Sequence, residues 1–142
     1  MIVGNFNDTY AIFLLRTITG ILFFFQGYDK LFKVRITNVV RTFREPLYKY
    51  QIFRTTLKPL VTVSSIVELI CGILLFIGLY RNLALIFLSI DLIVVAFTFS
   101  IIKPMWDMSY FFPRMIFIVI LLFCIPGPDY ISLDYLLGIG YR

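Results

Sequence analysis

Four ionisable side chains stand inside otherwise apolar stretches of this chain: Arg16, Glu68, Asp91 and Arg114. On a lenient insertion scale one such charge at a bilayer centre costs roughly 2.5–3.5 kcal/mol, so two acids and two bases left alone sum to about 10 kcal/mol. Pairing inside the protein removes most of that cost. Such a network has three uses: glue that fixes helix order through an Arg16–Glu68 or Arg16–Asp91 pair, a polar site for a proton, a quinone head group or a small substrate, or contact with another membrane subunit. Gln26, Asp29, Lys30 and Arg81 add hydrogen-bonding and charged groups able to touch a quinone or other ligand.

Other chemistries are poorly served. No histidine occurs anywhere, which removes the commonest haem ligand, metal ligand and neutral-pH proton carrier, so no metal site is expected. Cys71 and Cys124 lie in different apolar segments without the short spacing of a redox pair, and read as buried thiols. The formal charge of +5 comes from a local concentration of Lys and Arg between Lys30 and Lys58, where Glu45 is the lone acid. Beside apolar spans, that segment points to anionic lipid head groups rather than to nucleic acid.

The elements that carry these residues follow from composition. The chain is 61% hydrophobic and 15% charged, against about half and a quarter for a soluble domain, so lipid is the solvent that fits. At 142 residues there is room for a single domain, residues 1–142. Four apolar segments predict an all-α, integral membrane, four-helix antiparallel bundle, with spans at about 10–28, 60–80, 83–102 and 111–126. The first lacks the basic flank of a cleaved signal peptide. The turn at Tyr80-Arg81-Asn82 makes spans two and three a tight hairpin. Pro113 suits a first helical turn, and Pro126-Gly127-Pro128 stops the fourth span. Tyr10, Tyr28, Tyr80, Trp106, Tyr110 and Tyr130 mark the water interfaces.

Residues 31–59, interrupted by Pro46, mix basic and apolar side chains and predict amphipathic pieces in the head-group layer. The tail after Pro128 reads likewise. Positive charge places the 31–59 loop and the Lys103 loop in the cytoplasm and both termini outside, in the cell inner (cytoplasmic) membrane. At about 1.5 Å per residue, Glu68 and Asp91 lie near mid-membrane and Arg16 about 9 Å from the external face. Ser64, Ser65, Glu68, Cys71 and Gly72 make one small, polar stripe, and Arg16, Gly20 and Gly27 another; these stripes are the expected helix–helix seams.

Several motifs resemble the DoxX family of small four-helix membrane proteins. They are Leu14-Leu15-Arg16, then Gly27-Tyr28-Asp29-Lys30-Leu31-Phe32, then Glu68 with Gly72, then Gly78-Leu79 with Arg81 and Ala84, and finally Gly127 with Ser132-Leu133-Asp134. Gln26 stands where that family often has histidine, the 33–58 loop is longer and more basic than usual, and Asp91 belongs to none of these motifs. The resemblance implies an accessory subunit, some relatives being associated with thiosulfate:quinone oxidoreductase, some with oxidative-stress complexes and some with maturation of periplasmic enzymes. The first expectation is therefore a membrane accessory subunit or scaffold that docks other membrane-complex subunits or a second copy of itself, with no catalysis on its own. The alternative is a quinone-interacting small subunit with no covalently bound cofactor, in which Arg16, Gln26, Lys30, Glu68 and Asp91 line the quinone site and a partner carries the electrons. A small transporter or channel subunit, which needs oligomerisation, is the third.

Overall fold

The computed structural model describes residues 2–102, 112–123 and 129–138. Lys103, Trp106, Tyr110, Phe111, Cys124 and Pro126-Gly127-Pro128 lie outside the described residues. Six α-helices follow one another: α1 (Ile2–Tyr28), α2 (Ile36–Leu47), α3 (Gln51–Ile77), α4 (Arg81–Ile102), α5 (Phe112–Phe123) and α6 (Leu133–Leu136), with a π-turn over Asp29–Lys33 after α1. Among the described residues there is no strand, and the protein is an all-α membrane protein.

Three stretches are long and apolar enough to cross a bilayer: Thr9–Lys33, Gln51–Ile77 and Arg81–Thr98. Their outward faces carry side chains such as Phe25, Phe76, Ile93 and Phe97, all at least half exposed, as lipid-facing residues are. The fourth expected span is described as a helix of 12 residues. It is apolar and adjoins residues outside the described ones at both ends, and the three stretches above are the full-length spans among the described residues.

The second span starts at Gln51 rather than Leu60, because α3 continues through Pro59. A proline there removes one bond to the carbonyl of Thr55 on an exposed face, which a long helix tolerates. The expected loop 31–59 is accordingly mostly helix. α2 passes through position 46, buries Leu47 and keeps Arg41 and Arg44 exposed, with Ile36, Val39, Val40 and Phe43 half-buried on the face it turns to α3 and α4.

α1 and α3 form the main seam. A Cβ added at Gly20 would lie 2.6 Å from Phe76 N, one at Gly27 2.6 Å from Leu69 N, and one at Gly72 2.5 Å from Phe24 N. The two backbones touch at these points, and the stripes of small residues are that contact. α4 returns along α3, and α5 packs on α1 and α4. Phe23, Cys71, Leu75, Ala84, Leu85, Leu88, Leu92, Ile118 and Leu121 fill the middle of the bundle. Hydroxyls inside the bundle mostly turn back on their own helix: Thr19 donates to Leu15 O, Ser65 to Val61 O, Ser89 to Leu85 O and Thr98 to Val94 O.

Candidate functional site

The intramembrane charges do not form one network. They divide into two clusters about ten residues apart on α1 and on α4, roughly 15 Å of helix rise, with the apolar core between them.

The first cluster sits where α3 turns into α4. Gly78 ends α3 in the left-handed conformation, φ 73°, and the N–H of Leu79 reaches back 2.9 Å to Leu74 O. The missing Cβ at Gly78 makes room for Arg16, whose Nη1 would lie 2.6 Å from it. Arg16 is 1% exposed and donates to the carbonyls of Leu75 (2.5 Å), Phe76 (3.0 Å) and Ile131 (3.0 Å). Its Nε lies 3.1 Å from Asp129 Oδ2, and Arg81 Nη1 approaches the same oxygen at 3.4 Å. Asp134 accepts from the N–H groups of Tyr80 (2.8 Å) and Arg81 (3.0 Å), so a tail carboxylate caps the start of α4. Ser132 caps α6 by accepting from Tyr135 N at 3.2 Å, and Asp134 N returns to Gly78 O at 3.0 Å.

Arg16 therefore pairs with Asp129, not with Glu68 or Asp91. The reason is depth. Arg16 lies level with the last carbonyls of α3, and Glu68 stands seven residues, about 10 Å, further in. Arg81 likewise belongs to this end and not with Gln26 and Lys30. The tail, expected as a loosely interfacial piece, is instead bonded to the α3–α4 turn.

The second cluster lies at the other end of the α1–α3 seam. Glu68 is fully buried, and both its oxygens face the Lys30 ammonium, at 2.8 and 2.7 Å. Gln26 Nε2 also donates to Glu68 Oε1. Gln26 comes from the last turn of α1 and Lys30 from the π-turn, so both reach Glu68 from one side; π-turns often occur where a side chain must be re-aimed. Lys30 keeps about a quarter of its side chain exposed, 24% against 0% for Glu68.

Asp91 on α4 faces Ser64 on α3, and the charge of Lys30 reaches it. The charge of Arg114 on α5 also reaches Glu68. Two acids and two bases thus balance here, as do Arg16, Arg81, Asp129 and Asp134 at the other end. Asp29 opens the π-turn, where its carbonyl accepts from Val34 N at 2.7 Å. Three buried oxygens of the second cluster, Gln26 Oε1, Ser64 Oγ and Asp91 Oδ2, have no hydrogen-bond partner among the described residues.

Of the residues singled out in the sequence, Gln26, Lys30, Glu68, Asp91 and Arg114 come together at this end, whereas Arg16 meets Asp129 and not the expected Glu68 or Asp91. Sequence reasoning passed over Asp129, and it marked Asp134 as part of a family motif without linking it to the α3–α4 turn. The available signal was the Ser132-Leu133-Asp134 triplet, a cap-like pattern after a Pro-Gly-Pro stop. Among the described residues no three His, Cys, Asp or Glu side chains gather as a metal site would require.

Residues 11–101 match the protein-family model DoxX. That is more than half of the chain, and the protein belongs to the DoxX family. No curated protein matches significantly, and neither does any solved structure. The matched stretch holds Arg16, Gln26, Lys30, Glu68, Arg81 and Asp91, whereas Arg114, Asp129 and Asp134 lie beyond it.

Proposed function

We propose that this DoxX-family chain is an accessory membrane subunit whose inner cluster receives a quinone-type head group while a partner subunit supplies the electrons. The observation that carries this reading is the composition of the inner cluster. Lys30 and Gln26 bind Glu68 yet each keeps an unused N–H, and three oxygens beside them are unpaired. A purely structural ion pair needs neither. A quinone carbonyl accepts hydrogen bonds and a quinol hydroxyl donates them, so a site with spare donors and spare acceptors holds both redox forms.

Reducing a quinone takes two electrons and two protons. The chain has neither histidine nor closely spaced cysteines, so in this reading a partner's redox group brings the electrons. Gln26, Lys30 and Glu68 orient the ring, and the quarter-exposed Lys30 gives the head group a way in from the membrane surface.

The scaffold reading without a ligand has its own support, since both clusters balance their charges internally, but it leaves the unpaired oxygens without a purpose. In either reading the chain resides in the cell inner membrane with its basic end in the cytoplasm, where Arg41, Arg44, Arg54 and Lys58, all exposed, meet anionic head groups.

The test is photolabelling of the full chain in membranes with an azido-quinone. Label is expected on α1 or α3 beside Gln26 or Glu68, displaced by excess quinone, and lost in Glu68→Gln at unchanged membrane abundance. Label confined to lipid-facing positions such as Ile93 and Phe97 overturns the reading. Isolation in mild detergent, with mass spectrometry and a visible spectrum of what co-purifies, identifies the electron-carrying partner.

A further inference from the structure

We infer that Arg44 and Arg54, held ready at the turn between α2 and α3, form a binding site for the phosphate of an anionic phospholipid. The inference rests on the placement of the basic end against anionic head groups and narrows it, from diffuse charge to two oriented guanidiniums.

Both arginines are tied to one residue. The Arg44 guanidinium lies over the ring of Tyr48, its Cζ 4.9 Å from the ring centroid, and Arg54 Nε donates to Tyr48 O at 3.2 Å. A stacked guanidinium uses its face and keeps its edge N–H groups, and one bound through Nε keeps both Nη groups. Tyr48 is itself fixed. Leu47 beside it is fully buried, Tyr48 N donates to Arg44 O at 3.0 Å, and Tyr50 N donates to Leu47 O at 3.0 Å. Arg44 and Arg54 are exposed, as is Lys49 in the turn, and among the described residues neither arginine meets a carboxylate. Arg41 and Lys58 are exposed too, but among the described residues no such tether holds them. A guanidinium already ordered loses less freedom on meeting a phosphate than a free side chain does.

Position favours a lipid phosphate over a soluble one. α3 has 27 residues, about 40 Å of rise against a hydrocarbon core of about 30 Å, which leaves about 10 Å for the head-group layers. Arg54 stands in the first turn of this helix and Arg44 in the last turn of α2. Between them in the chain, Tyr50 and Ile52 are 53% and 69% exposed, apolar surface that suits the glycerol and upper acyl region and not water.

The full chain in a neutral detergent is titrated with phosphatidylglycerol or phosphatidylcholine, and the lipid retained is counted by native mass spectrometry, with melting curves to check folding. Phosphatidylglycerol is expected to bind more tightly. Arg44→Lys with Arg54→Lys keeps every charge but removes the fork, and should weaken phosphatidylglycerol by about tenfold at an unchanged midpoint, while Arg41→Lys changes nothing. Wild-type affinity in that double lysine variant, with weakening only in Arg44→Gln with Arg54→Gln, overturns the inference and leaves the electrostatic reading standing. Displacement of the lipid by an equal concentration of glycerol phosphate also overturns it, in favour of a soluble phosphate. Equal retention of the two lipids overturns both the inference and the reading it rests on.

Discussion

The two polar clusters contain the same inventory, two acids and two bases drawn from facing helices, and differ in how completely they are satisfied. At the α3–α4 turn the Arg16 guanidinium meets three carbonyls and a carboxylate, and Asp134 caps two backbone N–H groups. At the other end, Glu68 is enclosed by Lys30 and Gln26, while Gln26 Oε1 beside it has no partner among the described residues. Closed polar networks stabilise and specify; open ones are retained at a cost, and function is the usual reason. Equal charge with unequal closure separates a latch from a site.

Removing Arg16 tests the latch most severely. Arg16→Leu leaves Asp129 without its nearer cation and takes a donor away from the carbonyls of Leu75, Phe76 and Ile131, a loss of about 3–5 kcal/mol by analogy with broken buried pairs. The thermal midpoint in detergent should fall steeply and membrane yield with it; a wild-type midpoint would mean that the cluster is no latch. Next comes the seam both clusters share. Gly27→Val or Gly72→Val forces the touching backbones apart and should cost about 1–3 kcal/mol, read by the same melting curves. Glu68→Gln sharpens the contrast from the other side, because the quarter-exposed Lys30 can turn to water. Its midpoint should shift by no more than about 1 kcal/mol's worth while photolabelling is lost. The smallest effect is expected from Asp134→Asn, which keeps one acceptor for the start of α4 and should cost about 0.5–1 kcal/mol.

Much of the fold was legible in the sequence, because lipid imposes a length and an apolar composition that few other constraints imitate. The small-residue stripes at Gly20, Gly27, Ser64, Glu68 and Gly72 likewise identified the α1–α3 seam, since helices in lipid pack through small side chains. Pairing was less legible. Arg16 is nearer in sequence to Glu68 and Asp91 than to Asp129, and only the turn at Gly78 and the return of residues 129–134 bring the tail carboxylate to it. The start of α3 was missed because Pro59 suggests a boundary that an exposed helical face does not enforce. The amphipathic pieces expected in the 31–59 loop include α2, which runs on through position 46 as one helix.

The π-turn over Asp29–Lys33 closes its bond over five residues, Asp29 O to Val34 N, where the helix it ends closes over four. A single residue is worth about 100° of azimuth on a helix. Removing Leu31 or Phe32 would therefore re-aim the exit into α2 by about that angle relative to Lys30, although every charge stayed in the chain. The bearing of a whole surface helix on the lysine beside it is set by that one wide turn.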